Sequence, residues 1–192
     1  MKRNYYYSIG PRWTEAKGKY AENNSLLSID VLNLLLGRAT LPNPIFYGEE
    51  GFEQYDVLTT IHPAIFLFSS RMRNFLVGQE IQQWTSRPVQ VVNNRSSLSL
   101  AYHIFQFPSQ PVAFDYSRSE ITSRSENFID IKGQYFDVDP PAGVDIFSVK
   151  NTAFIFITER LQLLLYKEDF ANLAFERNDR MTGMVPIEIF YR

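Results

Sequence analysis

The feature that most constrains this chain is a pattern that occurs twice. Ala64-Ile65-Phe66-Leu67-Phe68 is a short apolar run of β-favouring residues. Ser69 and Ser70 follow at once, and either hydroxyl can satisfy an unpaired amide in the first turn of a helix. Met72, Phe75 and Leu76 then recur at helical spacing, with Ile81 and Trp84 beyond, and Gly78 suits the helix end. The pattern returns in Phe154-Ile155-Phe156-Ile157, with Thr158 as cap and Glu159 where the helix dipole favours negative charge. Arg71 and Met72 return as Arg160 and Leu161, 89 residues on. The same interval joins Phe75 to Leu164, Leu76 to Leu165, Ile81 to Phe170 and Trp84 to Leu173. One interval kept through strand, cap, helix and later anchors predicts the same local structure twice. Two copies are too few for a solenoid, which needs about three.

The expectation is a single α+β domain over residues 1–192, with a mixed or antiparallel sheet and two similar strand–helix units. Trp84, matched to a leucine, is expected in the core. Residues 5–9 read as an opening strand stopped by Gly10-Pro11, residues 14–24 as a polar loop, and residues 25–36 as a leucine-rich helix capped by Gly37, with Ser28, Asp30 and the β-branched residues leaving an extended reading open. Leu41-Pro42-Asn43-Pro44 forces a connector before a short strand at residues 45–47. Residues 89–92 and 98–107 predict a hairpin across a polar turn. Residues 115–127 are a polar stretch rich in Ser and Arg, with a hydrogen-bonded loop expected at residues 115–120. Residues 128–131, 134–138 and 146–149 read as short strands, with a loop forced by Asp139-Pro140-Pro141-Ala142-Gly143. Residues 185–191 close the chain as a strand or extended arm.

Composition removes whole classes of function. With 45% hydrophobic and 21% charged residues, a chain of 192 can bury roughly two-thirds of its unfolded surface without a disulfide or metal staple. A net charge of −2 offers no basic face for nucleic acid. The absence of cysteine excludes disulfides, thiol nucleophiles and thiolate zinc sites. Met1-Lys2-Arg3-Asn4 has no apolar stretch behind it, so no secretory signal is read, and no apolar run approaches the ~20 residues of a membrane-spanning helix. The cytoplasm is the expected location, with no membrane partner.

The candidate chemistry is thin. His62 and His103 can titrate near neutrality, but neither sits in a metal-ligand or nucleophile motif, and a lone strand histidine is usually structural. Asp137, Asp139 and Asp145 surround Pro140-Pro141. They lack the terminal bidentate Glu of a calcium loop, and the prolines break its turn. An acidic loop of this kind instead suits a basic partner surface. Asp115-Tyr116-Ser117-Arg118-Ser119-Glu120 carries both charges, and Arg118 lacks a glycine-rich phosphate cradle. No catalytic residue, cofactor or metal is assigned. Asp115, Arg118, Asp137, Asp139 and Asp145 are the candidate partner-binding residues. The alternative is a small-molecule hydrolase or transferase using Asp115, Arg118 and His103.

A family resemblance adds to this. Its residues are Tyr55-Asp56-Val57-Leu58, the run from Phe68-Ser69-Ser70-Arg71 to Phe75-Leu76, Trp84-Thr85-Ser86-Arg87-Pro88-Val89 and Tyr102-His103-Ile104-Phe105-Gln106-Phe107. Asp115-Tyr116-Ser117-Arg118-Ser119 and Phe156-Ile157-Thr158-Glu159-Arg160-Leu161 complete the set. In this order they resemble a family of bacterial immunity proteins, the eleventh in the polymorphic-toxin series, also catalogued as a domain of unknown function. The resemblance spans about residues 50–178; the first 50 match poorly, and Thr158 stands where the first copy has serine. It implies an α+β domain that binds and neutralises a cognate toxin protein made by the same cell, without catalysis. It assigns no toxin-contact residue.

Overall fold

β-favouring runs separated by polar turns make this a strand-rich chain. The computed structural model describes residues 5–11, 20–62, 64–93, 95 and 97–187. In chain order the elements are β1 (Tyr6–Pro11), β2 (Tyr20–Glu22), α1 (Val31–Leu35), β3 (Ile45–Gly48), β4 (Val57–Thr60), β5 (Phe66–Ser69) and α2 (Ser70–Gly78). There follow β6 (Thr85–Asn93), β7 (Leu98–Gln106), β8 (Glu120–Arg124), β9 (Phe128–Lys132), β10 (Ile146–Ser148) and β11 (Ile155–Thr158). The last are α3 (Glu159–Lys167), β12 (Leu173–Arg177) and β13 (Thr182–Pro186).

The class is α+β, but the strands form three sheets. A closed barrel runs β2-β3-β6-β7-β5-β4, a four-stranded sheet runs β10-β11-β1-β12, and a small sheet runs β13-β9-β8. The barrel is mixed, because β2 pairs β4 and β3 pairs β6 in parallel. Closure removes its edges. It also demands close approach at Gly48, where a Cβ would fall 2.8 Å from both Phe52 and Val91.

Two hairpins each lead into a helix. In β4–β5, Val57 lies opposite Phe68 and Thr59 opposite Phe66. In β10–β11, Ile146 lies opposite Ile157 and Ser148 opposite Ile155. The Ser69 hydroxyl accepts the Met72 amide at 3.1 Å and starts α2; Thr158 does the same for Leu161 at 3.4 Å and starts α3. The buried faces of both helices meet in one core with the strands beneath them, where Phe68 stacks on Phe105 at 4.1 Å. Trp84 is half-buried against this core, 4.7 Å from Phe105. A second core fills the barrel around Phe46, Phe52 and Tyr102. A third joins Tyr6, Phe136, Phe147 and Phe156, whose rings meet mostly edge-on, with Phe147 and Phe156 stacked.

Several expectations change. Residues 25–36 are not one helix: a 3-10 turn at Asn24–Leu27 stops, and Asp30 starts α1 by accepting the Asn33 amide at 3.0 Å. Gly37 does end it, at φ 73°. Gly10-Pro11 does not stop β1, because both residues pair with β12. The β6 strand begins before Pro88, which is tolerated because the parallel neighbour β3 pairs only from Gln90 onward. The polar stretch 115–127, for which the sequence predicts no strand, holds β8, whose five residues are all exposed and carry no apolar alternation. Residues 134–138 form only a single bridge, Phe136 to Phe114. The closing strand starts at Thr182, and residues 188–191 lie outside the described residues, as do residues 14–19 of the expected loop.

Candidate functional site

Four of the five candidate residues lie together on an irregular ribbon. Residues 113–118 run beside 135–139: the Asp137 amide donates to Ala113 O at 3.0 Å and the Asp115 amide to Tyr135 O at 2.8 Å. Asp115 caps a 3-10 turn at Tyr116–Arg118 by accepting the Ser117 amide at 3.1 Å. Arg118 lies over the Tyr135 ring, 4.7 Å from its centroid, and donates to Phe136 O. Asp137 accepts the amides of Ala113 and Val138 at 2.9 and 2.8 Å. Asp139 accepts the Tyr6 hydroxyl at 3.1 Å. Asp137 and Asp139 remain exposed with Val138 between them, so the ribbon presents two carboxylates flanking an apolar side chain.

Asp145 is placed elsewhere. Its carboxylate accepts from the Thr158 hydroxyl and from both Nε and an Nη of Arg160, and its side chain is 13% exposed. Burial works against its ionisation, yet hydrogen bonds from Arg160 and Thr158 outweigh burial and hold its carboxyl below the usual range. Asp145 therefore anchors the start of α3, away from the ribbon. Asp56 does the same for α2: it binds the Ser69 hydroxyl and meets Arg71 at 2.8 Å. Asp56 was not among the candidates, although it precedes Asp145 by 89 residues, and that interval was the available signal.

His103 stands apart from both groups. It lies opposite Phe68 and Pro88 in the barrel, with Nε2 3.2 Å from the Ser70 hydroxyl, which donates to Ala101 O. Its buried Nδ1 has no hydrogen-bond partner among the described residues. Burial, with Arg73 adding to it, pushes the imidazole below its ordinary value. Among the described residues no hydrogen bond or ion pair joins His103 to Asp115 or Arg118.

No family model matches the chain, and no curated protein matches it significantly. Among the described residues no group of three or more His, Asp or Glu converges as a metal site, and no helix is long and apolar enough to cross a membrane. A cleft of about 580 Å³ opens between the two hairpins, walled by Phe66, Phe154 and Phe175, with Ala64 and Ala153 both in its lining. Its lining is mainly apolar, with Glu176 the one ionisable side chain among the described residues.

Proposed function

We propose that the chain is an immunity-type protein that binds and neutralises a cognate bacterial toxin, acting as a partner-binding domain rather than an enzyme. What supports it is the ordered set of motifs resembling the eleventh immunity family, from Tyr55-Asp56 through Asp115-Tyr116-Ser117-Arg118 to Thr158-Glu159-Arg160. The surface that suits a partner is the ribbon carrying Asp115, Asp137 and Asp139. Its exposed carboxylates would steer a basic protein surface, and Val138, 54% exposed, offers an apolar contact beside them. A stable complex needs roughly 800 Å² from each side, more than this ribbon alone supplies, so neighbouring segments would join it. We also propose that β4–β5–α2 and β10–β11–α3 are two similar units, on the shared interval of their registers and caps.

Affinity purification of the chain from its native host, with the bound protein identified, tests the function. Stoichiometric capture of a secreted-type toxin encoded beside it is the expected result. Recovery of no partner, or turnover of a small molecule that His103→Ala abolishes, would sink the proposal.

A further inference from the structure

The core between the two sheets is built from matched residues. Phe68 and Ile157, Met72 and Leu161, and Leu76 and Leu165 all lie in it, each pair 89 residues apart. By contrast Leu58 and Leu67 fill the barrel, while their counterparts Phe147 and Phe156 fill the third core. One core is thus shared between the two matched hairpin–helix segments, and the other face of each hairpin packs into a separate core.

Rare backbone geometry repeats as well. Glu80 (φ 53°) and Asp169 (φ 49°) follow the two helices, and Gln83 (φ 71°) and Asn172 (φ 65°) come three residues later. Non-glycine residues seldom adopt this region, and here two occurrences fall at the same interval of 89 residues.

The middle strands match at a second interval, 96 residues. Tyr102 of β7 lies opposite the cap residue Ser69, and Tyr6 of β1 lies opposite the cap residue Thr158. Three residues on, Phe105 and Ile9 both enter the shared core. In the chain, β1 precedes β4–β5–α2–β6 as β7 precedes β10–β11–α3–β12. In space the two are exchanged: β1 lies between β11 and β12, and β7 between β5 and β6.

We propose that the chain is a fused dimer: two copies of one unit (first strand, hairpin, helix, outer strand) that recognise each other through a self-complementary core and reciprocal strand addition. The partner this interface fits is a second copy of the same unit, here attached covalently. What differs is the material between first strand and hairpin. In the first copy, β2 and β3 close the sheet into a barrel; in the second, the sheet stays open, and the insert forms β8, β9 and the acidic ribbon.

Two measurements on the full-length chain test this. A specific protease site is placed between β6 and β7 and cut. The cut protein keeps the elution volume and far-ultraviolet spectrum of the intact chain, and its halves part only in denaturant. The second measurement exchanges the matched core residues, Ile9→Phe and Phe105→Ile. Each single change lowers the urea midpoint, and the double, which conserves the volume of one shared core, recovers about half of the combined loss or more. Halves that separate in native buffer, or a double variant no more stable than the summed singles (one that does not fold included), overturn the proposal.

Discussion

The carboxylate of Asp56 accepts the backbone amide of Ala171 at 2.9 Å, across 115 residues of chain. The Asp56 amide donates back to Ala171 O at 2.9 Å, and Arg71, paired to Asp56, also donates to Glu168 O and lies over the Phe170 ring at 4.4 Å. One aspartate therefore starts α2 and clips the barrel to the turn after α3. Because several charged hydrogen bonds are lost together and their partners are left behind, Asp56→Ala should cost about 3 kcal/mol in urea unfolding. Arg71 is 52% exposed, so Arg71→Ala should cost about 1 kcal/mol or less. Equal costs for the two would show that the Ala171 amide adds nothing.

Asp145 predicts an acid limb. An unfolded aspartate titrates near ~3.9, and the folded carboxyl lies lower. Ionised Asp145 therefore gives its full stabilisation above that unfolded value, and the contribution fades as pH falls through the folded one. Asp145→Asn should lower stability at neutral pH and flatten its decline below about pH 4. Urea midpoints across the acid range check this; an unchanged slope counts against it.

His103 acts at higher pH. The unfolded imidazole takes up its proton near ~6.5, before the folded one does, so stability falls as pH drops below that value. His103→Gln, which keeps a polar group facing Ser70, should remove this part of the pH dependence between about pH 7 and 5. Following the His103 ring protons by NMR would locate the folded transition directly; a midpoint above the ordinary value refutes the assignment.

Tyr102 and Tyr6 occupy matched places but carry unequal loads. The Tyr102 hydroxyl donates towards the carbonyls of Tyr55 and Phe52, at 2.7 and 3.0 Å, and burial pushes its ionisation far up. The Tyr6 hydroxyl donates to the carboxylate of Asp139, an exposed residue, at 3.1 Å. Tyr102→Phe should cost about 1–2 kcal/mol and Tyr6→Phe less than about 1 kcal/mol, read from thermal or urea unfolding.

The acidic ribbon predicts a charge effect on partner binding. Asp137→Lys with Asp139→Lys should weaken binding of the captured toxin about tenfold or more, chiefly through slower association that depends on salt, at a stability cost of about 1–2 kcal/mol from the amide and hydroxyl bonds these carboxylates accept. Asp145→Lys should instead unfold or destabilise the protein. Binding kinetics by surface plasmon resonance separate the two; an unchanged association rate removes the ribbon from the interface.

Much of the local structure was legible because its causes are local. Ser69 and Thr158 cap helices wherever an extended run meets an amphipathic one, and β6 and β7 pair from Asn93 and Leu98, near neighbours in the chain. Even Asp56 and Asp145 carry their relation in plain sight, as one interval shared with Arg71 and Arg160. The charged loops were legible as charge but not as geometry, which is why Asp145 reads like its neighbours Asp137 and Asp139 and yet belongs to α3.

What the sequence by itself determined is the repeated strand–cap–helix, since short-range sterics, capping and apolar periodicity suffice for it. Only the tertiary structure decided that β1 lies between β11 and β12, that β2 and β3 close a barrel, and that Ile9 and Phe105 meet in one core. Those outcomes depend on which edge a strand finds when the whole chain condenses. Pairing across some 150 residues is set by the total apolar surface buried, which no local window of sequence contains.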